Sequence, residues 1–308
     1  MISELLLYKI LQLFCFMILG FILCKLKIVR HSDSAVLSKI SLYLFMPAAI
    51  LNAFDFEQTE DTRTGLLLAF LVAIAIHAVL YLLDTAYRRC ITKNPVERAS
   101  VMYSNAGNLI IPIVSFVLGD EWVIFSTAFI SVQLVFIWSH GIRLFSSTEK
   151  FSIKKILLNV NIIAIAIGLI MMLSGLRLPA FVKGVTSPLG DMLGTVGMLI
   201  AGILAARIDF KKALADKRLY RTALFRMAVY PAIALGVLKL LSFIPVAEGE
   251  KILLITFLAT MTPAAATVMQ FAQLHDQDAD YATAINIFTT VICIVTMPLF
   301  VTLYHFVI

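Results

Sequence analysis

Charged residues are scarce in this chain of 308 residues. Asp, Glu, Lys and Arg make up only 14% of it, whereas 61% of the residues are hydrophobic and the mean hydropathy is +0.96. A soluble domain carries about 25% charged and about 45–50% apolar residues, so this composition excludes a soluble protein. The sequence therefore predicts an all-α polytopic membrane protein, whose helices satisfy their own backbone polar groups in the bilayer.

Cysteines and catalytic motifs are scarce as well. Cys15, Cys24, Cys90 and Cys293 form no CxxC pair and lie in or beside apolar segments, so we interpret them as small hydrophobic residues. The chain also lacks an HExxH, a GxSxG, a Walker A loop and a glycine-rich dinucleotide turn. We therefore predict that the protein is not an enzyme and needs neither a metal nor another cofactor.

What the chain has in abundance is apolar segments of the length that crosses a membrane. A spanning helix needs about 20 predominantly apolar residues. About ten segments meet this criterion, and nothing is left over for a soluble domain. The predicted spans are residues 5–24, 35–53, 64–87, 97–118, 122–145, 155–174, 188–206, 219–243, 251–273 and 281–306.

Basic residues concentrate in alternate loops, for example Lys25 and Arg30 after the first span and Lys211 and Lys212 after the seventh. We therefore interpret the basic residues behind the net charge of +6 as a signal for the orientation of the chain in the membrane, because loops rich in Lys and Arg stay in the cytoplasm. This pattern predicts both termini outside the cell inner membrane. With five spans in each half, an odd number, residues 1–150 and 151–308 would form two repeats of inverted topology.

The fourth span carries features that a continuous membrane helix avoids. Its Ser104–Pro112 stretch contains Asn105, Gly107, Asn108 and Pro112. Glycine and proline can interrupt a helix, and asparagine amides can bind the freed backbone groups or a solute. We expect Pro112 to start a new half-helix, whose N-terminus would favour an anion. The alternative is an ordinary interhelical hydrogen bond.

A counterpart occurs in the ninth span, where Pro263 follows Thr262. The two prolines are 263 − 112 = 151 residues apart, about half of the chain. Paired interruptions in two halves indicate a transporter binding site. Thr267 and Gln270 follow this break and are three residues apart, so both could face one cavity, although a polar stripe used only for packing is the alternative.

A few other polar residues lie within predicted spans. Gln133 needs a partner because a buried amide is costly, so it is either a binding residue or a satisfied interhelical contact. We expect His77 to make an interhelical hydrogen bond rather than carry a proton. We also expect Asp84 to pair with Arg88 one turn later, and His140 to extend toward the interface.

These motifs resemble the auxin efflux carrier family. The resemblance lies in Ser104-Asn-Ala-Gly-Asn-x-x-x-Pro112, in Leu44–Pro47 and in Val295–Leu299, and it covers nearly the whole chain. It implies a ten-helix inverted-repeat fold whose fourth and ninth helices cross at their breaks. It further places Asn105 and Pro112 on the first crossover, Pro263 on the second and Gln133 on a polar position of the fifth helix. Bacterial members of the family are usually described as malate or other carboxylate permeases.

The sequence thus favours a secondary transporter that moves a small organic anion, such as a carboxylate, by alternating access, in the direction of export. The candidate substrate-binding residues are Asn105, Asn108, Pro112, Gln133, Thr262, Pro263, Thr267 and Gln270. A sodium- or proton-coupled symporter and an anion channel stay open as alternatives. The expected partners are the organic anion and the lipid bilayer, with a homodimer left open and no nucleic acid.

Overall fold

The computed structural model describes residues 2–55, 60–145, 154 and 157–308. Every regular element in these ranges is a helix, which confirms the predicted all-α class, and the single β feature is an isolated bridge between Ser104 and Ala264. Residues 155 and 156 of the predicted sixth span lie outside the described residues. The predicted boundary between the repeats, at residues 150 and 151, lies outside them too.

Thirteen helices in the described ranges are numbered here in chain order. They are α1 (Ile2–Lys25), α2 (Asp33–Ala53), α3 (Glu60–Cys90), α4 (Pro95–Met102), α5 (Ala106–Leu118), α6 (Asp120–Phe145), α7 (Val160–Ser174), α8 (Ala180–Ala205), α9 (Phe210–Ala215), α10 (Lys217–Leu241), α11 (Gly249–Met261), α12 (Ala266–Leu274) and α13 (Ala279–Val307). Six of them, α2, α3, α6, α8, α10 and α13, are long and apolar enough to cross a membrane. Each of the ten predicted segments contains at least one helix.

Two of these segments are interrupted, and the causes differ. In the second interruption, Thr262 has an extended backbone (φ −61°, ψ 155°) because the residue before a proline avoids the helical region, and α11 ends there. In the first, α4 ends at Met102 and α5 begins at Ala106 with no proline between them. The expectation that Pro112 starts the half-helix is wrong, since Pro112 lies inside α5.

Pro112 instead packs against α8. A Cβ atom built on Gly194 would lie 2.8 Å from Pro112 Cγ, so the glycine allows α8 to approach α5 at the proline. Glycines also permit the contact of α8 with α1, because a Cβ on Gly202 would overlap the Met17 carbonyl oxygen and a Cβ on Gly20 that of Leu199. Small residues at helix contacts are typical of membrane proteins, in which close packing replaces the hydrophobic effect.

The most deeply buried helix is α11, where every residue from Ile252 to Met261 is buried. α11 packs against α3, α5, α6, α10 and α13. The second interruption, at the end of α11, is therefore surrounded by protein. This matters because exposed backbone groups in lipid cost several kcal/mol each unless they find partners.

Candidate functional site

The two interruptions lie side by side and form what we call the junction, defined as Tyr103–Asn105 together with Thr262–Ala265. The backbone N–H of Asn105 donates to the Pro263 carbonyl oxygen at 2.8 Å, and the N–H of Ala265 donates to the Tyr103 carbonyl oxygen at 3.0 Å. The two segments run antiparallel. Each interruption thus satisfies part of the backbone that the other one frees.

Gln133 of α6 holds the first segment through the peptide groups of Ser104. Its Oε1 accepts from the Ser104 backbone N–H at 3.0 Å and from the Ser104 hydroxyl at 2.7 Å, while its Nε2 donates to the Ser104 carbonyl oxygen at 2.9 Å. The side chain is only 4% exposed. The geometry is that of a satisfied interhelical contact, and it accounts for the amide within the membrane core.

The second segment is held in a similar way by α13. Asn286 Nδ2 donates to the Ala264 carbonyl oxygen at 2.5 Å, and the Ala264 N–H donates to Thr289 Oγ1 at 3.1 Å. All three residues are buried. A polar side chain from the second helix after each interruption, α6 or α13, therefore binds the backbone at the centre of that interruption.

Arg226 of α10 is fully buried beside the junction. It binds carbonyl groups at the C-terminal ends of α4 and α11, the helices that precede the two interruptions. Its Nη2 donates to the carbonyl oxygens of Thr260 (2.5 Å) and Thr262 (2.6 Å), and its Nε reaches Thr262 at 3.1 Å. Its Nη1 donates to the Val101 carbonyl oxygen at 3.2 Å, at the end of α4. Helix C-termini carry partial negative charge, so the guanidinium is stabilised although no carboxylate among the described residues pairs with it.

A small cavity of about 60 Å³ adjoins the junction. By this measure a water molecule needs about 10–15 Å³, so the cavity has room for a few waters. Its polar lining comes from α2, α5, α6, α12, α13 and the junction itself, and consists of Ser38, Ser41, Ser104, Asn105, Asn108, Gln133, Thr267 and Asn286. Gly107 and Ala266, at the starts of α5 and α12, also line it.

Hydrogen-bond donors at this cavity are left available. Asn108 Nδ2 donates to Asn105 Oδ1 at 3.1 Å, and no acceptor among the described residues takes a hydrogen bond from Asn105 Nδ2. The N–H groups of Ala106 and Gly107, the first two residues of α5, also lack an acceptor in the described ranges. Two helix N-termini and one amide therefore direct positive partial charge at the cavity.

The structure brings together only some of the residues predicted from the sequence. Asn105, Asn108, Gln133 and Thr267 share the cavity. Thr262 belongs to the junction but not to the cavity lining, because its carbonyl binds Arg226 and its hydroxyl donates to the Ala259 carbonyl oxygen.

Pro263 lies in the junction and faces a separate apolar pocket with Leu109 and Met198. Pro112 contacts α8. The side chain of Gln270 lies outside the described residues.

The candidate site residues predicted from the sequence did not include Arg226, Asn286 or the serines Ser38, Ser41 and Ser104, although Ser104 begins the stretch that marks the first break. For Arg226 a signal existed, since it lies 226 − 219 = 7 residues inside a predicted span, and an ionisable residue within a span is a functional candidate by default. No comparable signal distinguishes the serines from the many hydroxyl residues that bind their own helix backbone.

Three expectations for titratable side chains are corrected. Asp84 pairs not with Arg88 but with Arg98, through contacts of 3.0 and 2.5 Å, and with His140 Nε2 at 3.3 Å. His140 is thus held in place rather than extended, and its Nδ1 lies 2.7 Å from the Tyr103 hydroxyl. His77 bonds to the Ala73 carbonyl of its own helix at 2.8 Å, so the expected interhelical hydrogen bond is wrong.

Asp55 follows α2 and joins the end of this helix to the start of α8. Arg177 Nε and Lys183 Nζ each donate to its carboxylate at 2.7 Å, and the Leu178 N–H donates at 3.1 Å. Burial opposes ionisation of this carboxyl group, but the hydrogen bonds from Arg177, Lys183 and Leu178 outweigh it and lower the pKa of Asp55 to about 2. The residue thus joins the end of α2 to the start of α8 and does not line the cavity.

Comparison with known proteins identifies the class of this protein. The model of a family described as "Membrane transport protein" matches residues 5–154 and again residues 145–301, so two successive matches cover almost the whole chain. The chain belongs to this family, the auxin efflux carriers, which are membrane transporters. This confirms the resemblance seen in the sequence. No curated protein matches the chain.

Proposed function

We propose that the protein is a secondary carrier that moves a small organic anion, such as a carboxylate, across the cell inner membrane by alternating access. The observation that supports this most directly is the cavity beside the junction, where Asn105 and the N-termini of α5 and α12 converge. Carboxylate oxygens accept the hydrogen bonds that these groups offer. The substrate would bind at Asn105, Asn108 and Thr267, with Gln133 holding the junction.

Neutral donors suit a carrier better than a cationic side chain in the cavity. A lysine or arginine near the bilayer centre costs at least about 2.5–3.5 kcal/mol and would hold an anion too firmly for rapid release. In this protein Arg226 lies beside the cavity lining and directs its donors to the helix C-termini. Its charge offsets the negative ends of α4 and α11, which leaves the positive ends of α5 and α12 to act on the substrate.

We further propose ten spans arranged as an inverted repeat of residues 1–150 and 151–308, with the interrupted fourth and ninth spans crossing at the junction. The equivalent roles of Gln133 and Asn286 support this arrangement, as do the two successive family matches. The loops rich in Lys and Arg would be cytoplasmic and both termini outside. Labelling of single cysteines introduced at Ser3 and Lys212 in a cysteine-free background tests this, because an impermeant reagent should reach only the first on intact cells.

Without a coupling ion, transport would run outward. A membrane potential of about 100 mV, negative inside, favours efflux of a monoanion by about 2.3 kcal/mol. A proton-coupled symporter is the second candidate, because polar contacts connect Asp84 through His140 to Tyr103 of the junction, and such chains of ionisable residues occur in proton-coupled transporters.

Transport by the purified protein in liposomes tests the proposal. Saturable uptake of a labelled dicarboxylate, accelerated by unlabelled anion on the opposite side, would support a carrier, whereas ohmic single-channel currents would establish a channel. If uptake at clamped voltage stops when the proton or sodium gradient is removed, the symporter replaces the uncoupled carrier. Failure of every tested carboxylate to exchange or to raise the melting temperature would contradict the anion site.

A further inference from the structure

A second, larger cavity of about 370 Å³ lies where α3 ends and the chain turns into α4. It shares none of its lining with the cavity beside the junction. Among the described residues, four basic side chains line it, Arg88, Lys93, Arg98 and Arg143, together with one acidic side chain, Asp84. The Asp, Lys and Arg residues of this described lining carry a formal charge of 4 − 1 = +3.

The carboxylate of Asp84, the acidic side chain among the described lining residues, already has partners within the protein. Asp84 accepts two hydrogen bonds from Arg98 and lies 3.3 Å from His140 Nε2. Arg88 and Lys93, in contrast, are exposed and form no ion pair with any of the described residues. Cationic side chains around a concave surface attract an anion, and arginine is suited to phosphate because its planar group can donate two hydrogen bonds at once.

The surface beside the cavity is suited to hydrocarbon. Leu67, Leu71, Ile74 and Tyr81 follow one face of α3 at intervals of four, three and seven residues, and they are 71, 48, 56 and 44% exposed. On a membrane helix such a stripe contacts acyl chains. Tyr81 is also part of the cavity lining, so the apolar stripe leads directly into the basic cavity. Aromatic side chains of this kind lie at the level of the lipid headgroups.

We propose that this cavity binds the phosphate headgroup of an anionic phospholipid, with the acyl chains along the exposed stripe of α3. The loops that flank it belong to the side predicted to be cytoplasmic, so the lipid would come from that leaflet. Basic pockets between membrane helices are suited to such headgroups. The stripe favours a lipid over free phosphate, which would need the basic groups alone. This inference is independent of the transported substrate.

The test uses the full-length protein in detergent with added lipid. Phosphatidylglycerol should raise the melting temperature more than phosphatidylcholine with the same acyl chains. Native mass spectrometry should show that phosphatidylglycerol remains bound. Each cation near a membrane surface contributes about a fivefold factor in affinity, so Arg88→Gln with Lys93→Gln should weaken phosphatidylglycerol binding about 30-fold.

The matched control is Lys211→Gln with Lys212→Gln, which removes the same charge from two exposed residues of α9 outside the cavity. It should bind phosphatidylglycerol like the parent. Equal losses in the two double variants would overturn the proposal, since only the net charge would then matter. An equal effect of inorganic phosphate at the same concentration would also overturn it, in favour of a site for soluble anions.

Discussion

The two halves of the junction satisfy their interrupted backbone with different residues. Each has a central residue, Ser104 or Ala264, whose N–H and carbonyl groups are bound by polar side chains of α6 or α13. At Ser104 one residue, Gln133, binds both the N–H and the carbonyl oxygen. At Ala264 two residues share this role, because Thr289 accepts from the N–H and Asn286 donates to the carbonyl oxygen.

The halves also differ in what they offer to the cavity. The first contributes the polar side chains of Ser104, Asn105 and, in α5, Asn108, whereas the second contributes Ala265, Ala266 and one polar side chain, Thr267 of α12. Arg226 binds the two unequally, with three hydrogen bonds to the end of α11 and one to the end of α4. A similar backbone arrangement therefore places more polar side chains at the cavity from the first half than from the second.

Arg226→Met should have the largest effect, because it leaves three buried carbonyl groups without donors. Each unsatisfied buried group costs about 1–3 kcal/mol, so we expect the free energy of unfolding to fall by about 3–9 kcal/mol, with Arg226→Lys intermediate. Thermal unfolding in detergent measures this. Arg218→Met, which removes a half-exposed arginine that pairs with Asp216 and lies over the Tyr281 ring, is the control and should change stability little. A parental melting temperature for Arg226→Met would contradict the assigned role.

Gln133→Leu and Asn286→Leu test the comparison between the halves directly. Gln133→Leu leaves both polar groups of the Ser104 peptide unpaired, and we expect a loss of about 2–4 kcal/mol. Asn286→Leu leaves only the Ala264 carbonyl oxygen unpaired, since Thr289 still binds the N–H, so about half of that loss is expected. Chemical unfolding of both variants measures the difference. The reverse order would show that Gln133 is not the main support of the first half.

Asn105→Ala should affect binding and leave the fold intact, because the residue faces a cavity rather than a packed core. Loss of one hydrogen bond to an anion, about 1.5–3 kcal/mol, weakens binding roughly ten- to a hundred-fold. Asn105→Asp should be worse, since it places negative charge against the substrate. Asn108→Ala should weaken binding less, because Asn108 Nδ2 is already bonded to Asn105.

Calorimetric titration with a transported anion measures these affinities. Parental affinity for Asn105→Ala, in a monodisperse protein, would mean that the anion binds elsewhere. Aggregation of this variant would instead favour a structural hydrogen bond.

The smallest effect is expected at Asp55, which joins the end of α2 to the start of α8. Its folded pKa of about 2 is below the unfolded value of about 3.9, so its ion pairs stabilise the protein above pH 4 and this stabilisation is lost as the pH falls toward 2. Because Arg177 and Lys183 are about half exposed, Asp55→Asn should cost about 1 kcal/mol or less at pH 7. The melting temperatures of parent and variant should converge between pH 4 and pH 2.5, and a constant difference would contradict this account.

The class of the protein and the places where its helices break could be predicted from the sequence. Hydrophobic length identifies the membrane helices, and the clusters around Asn105 and Pro263 mark both interruptions, because these signals depend on residues close together in the chain. Three polar residues near those breaks, Asn105, Asn108 and Thr267, do line one cavity.

Which polar groups become hydrogen-bond partners could not be predicted in this way, because it depends on how the helices pack. Pro112 has the same local signal as Pro263, yet it packs on Gly194 inside a continuous helix. Arg226 reaches carbonyl oxygens 34 to 125 residues away, and Gln133 binds a peptide 29 residues away. Such pairings follow from how helices pack against each other in space, since a buried polar group takes whichever partner the packing brings within about 3 Å.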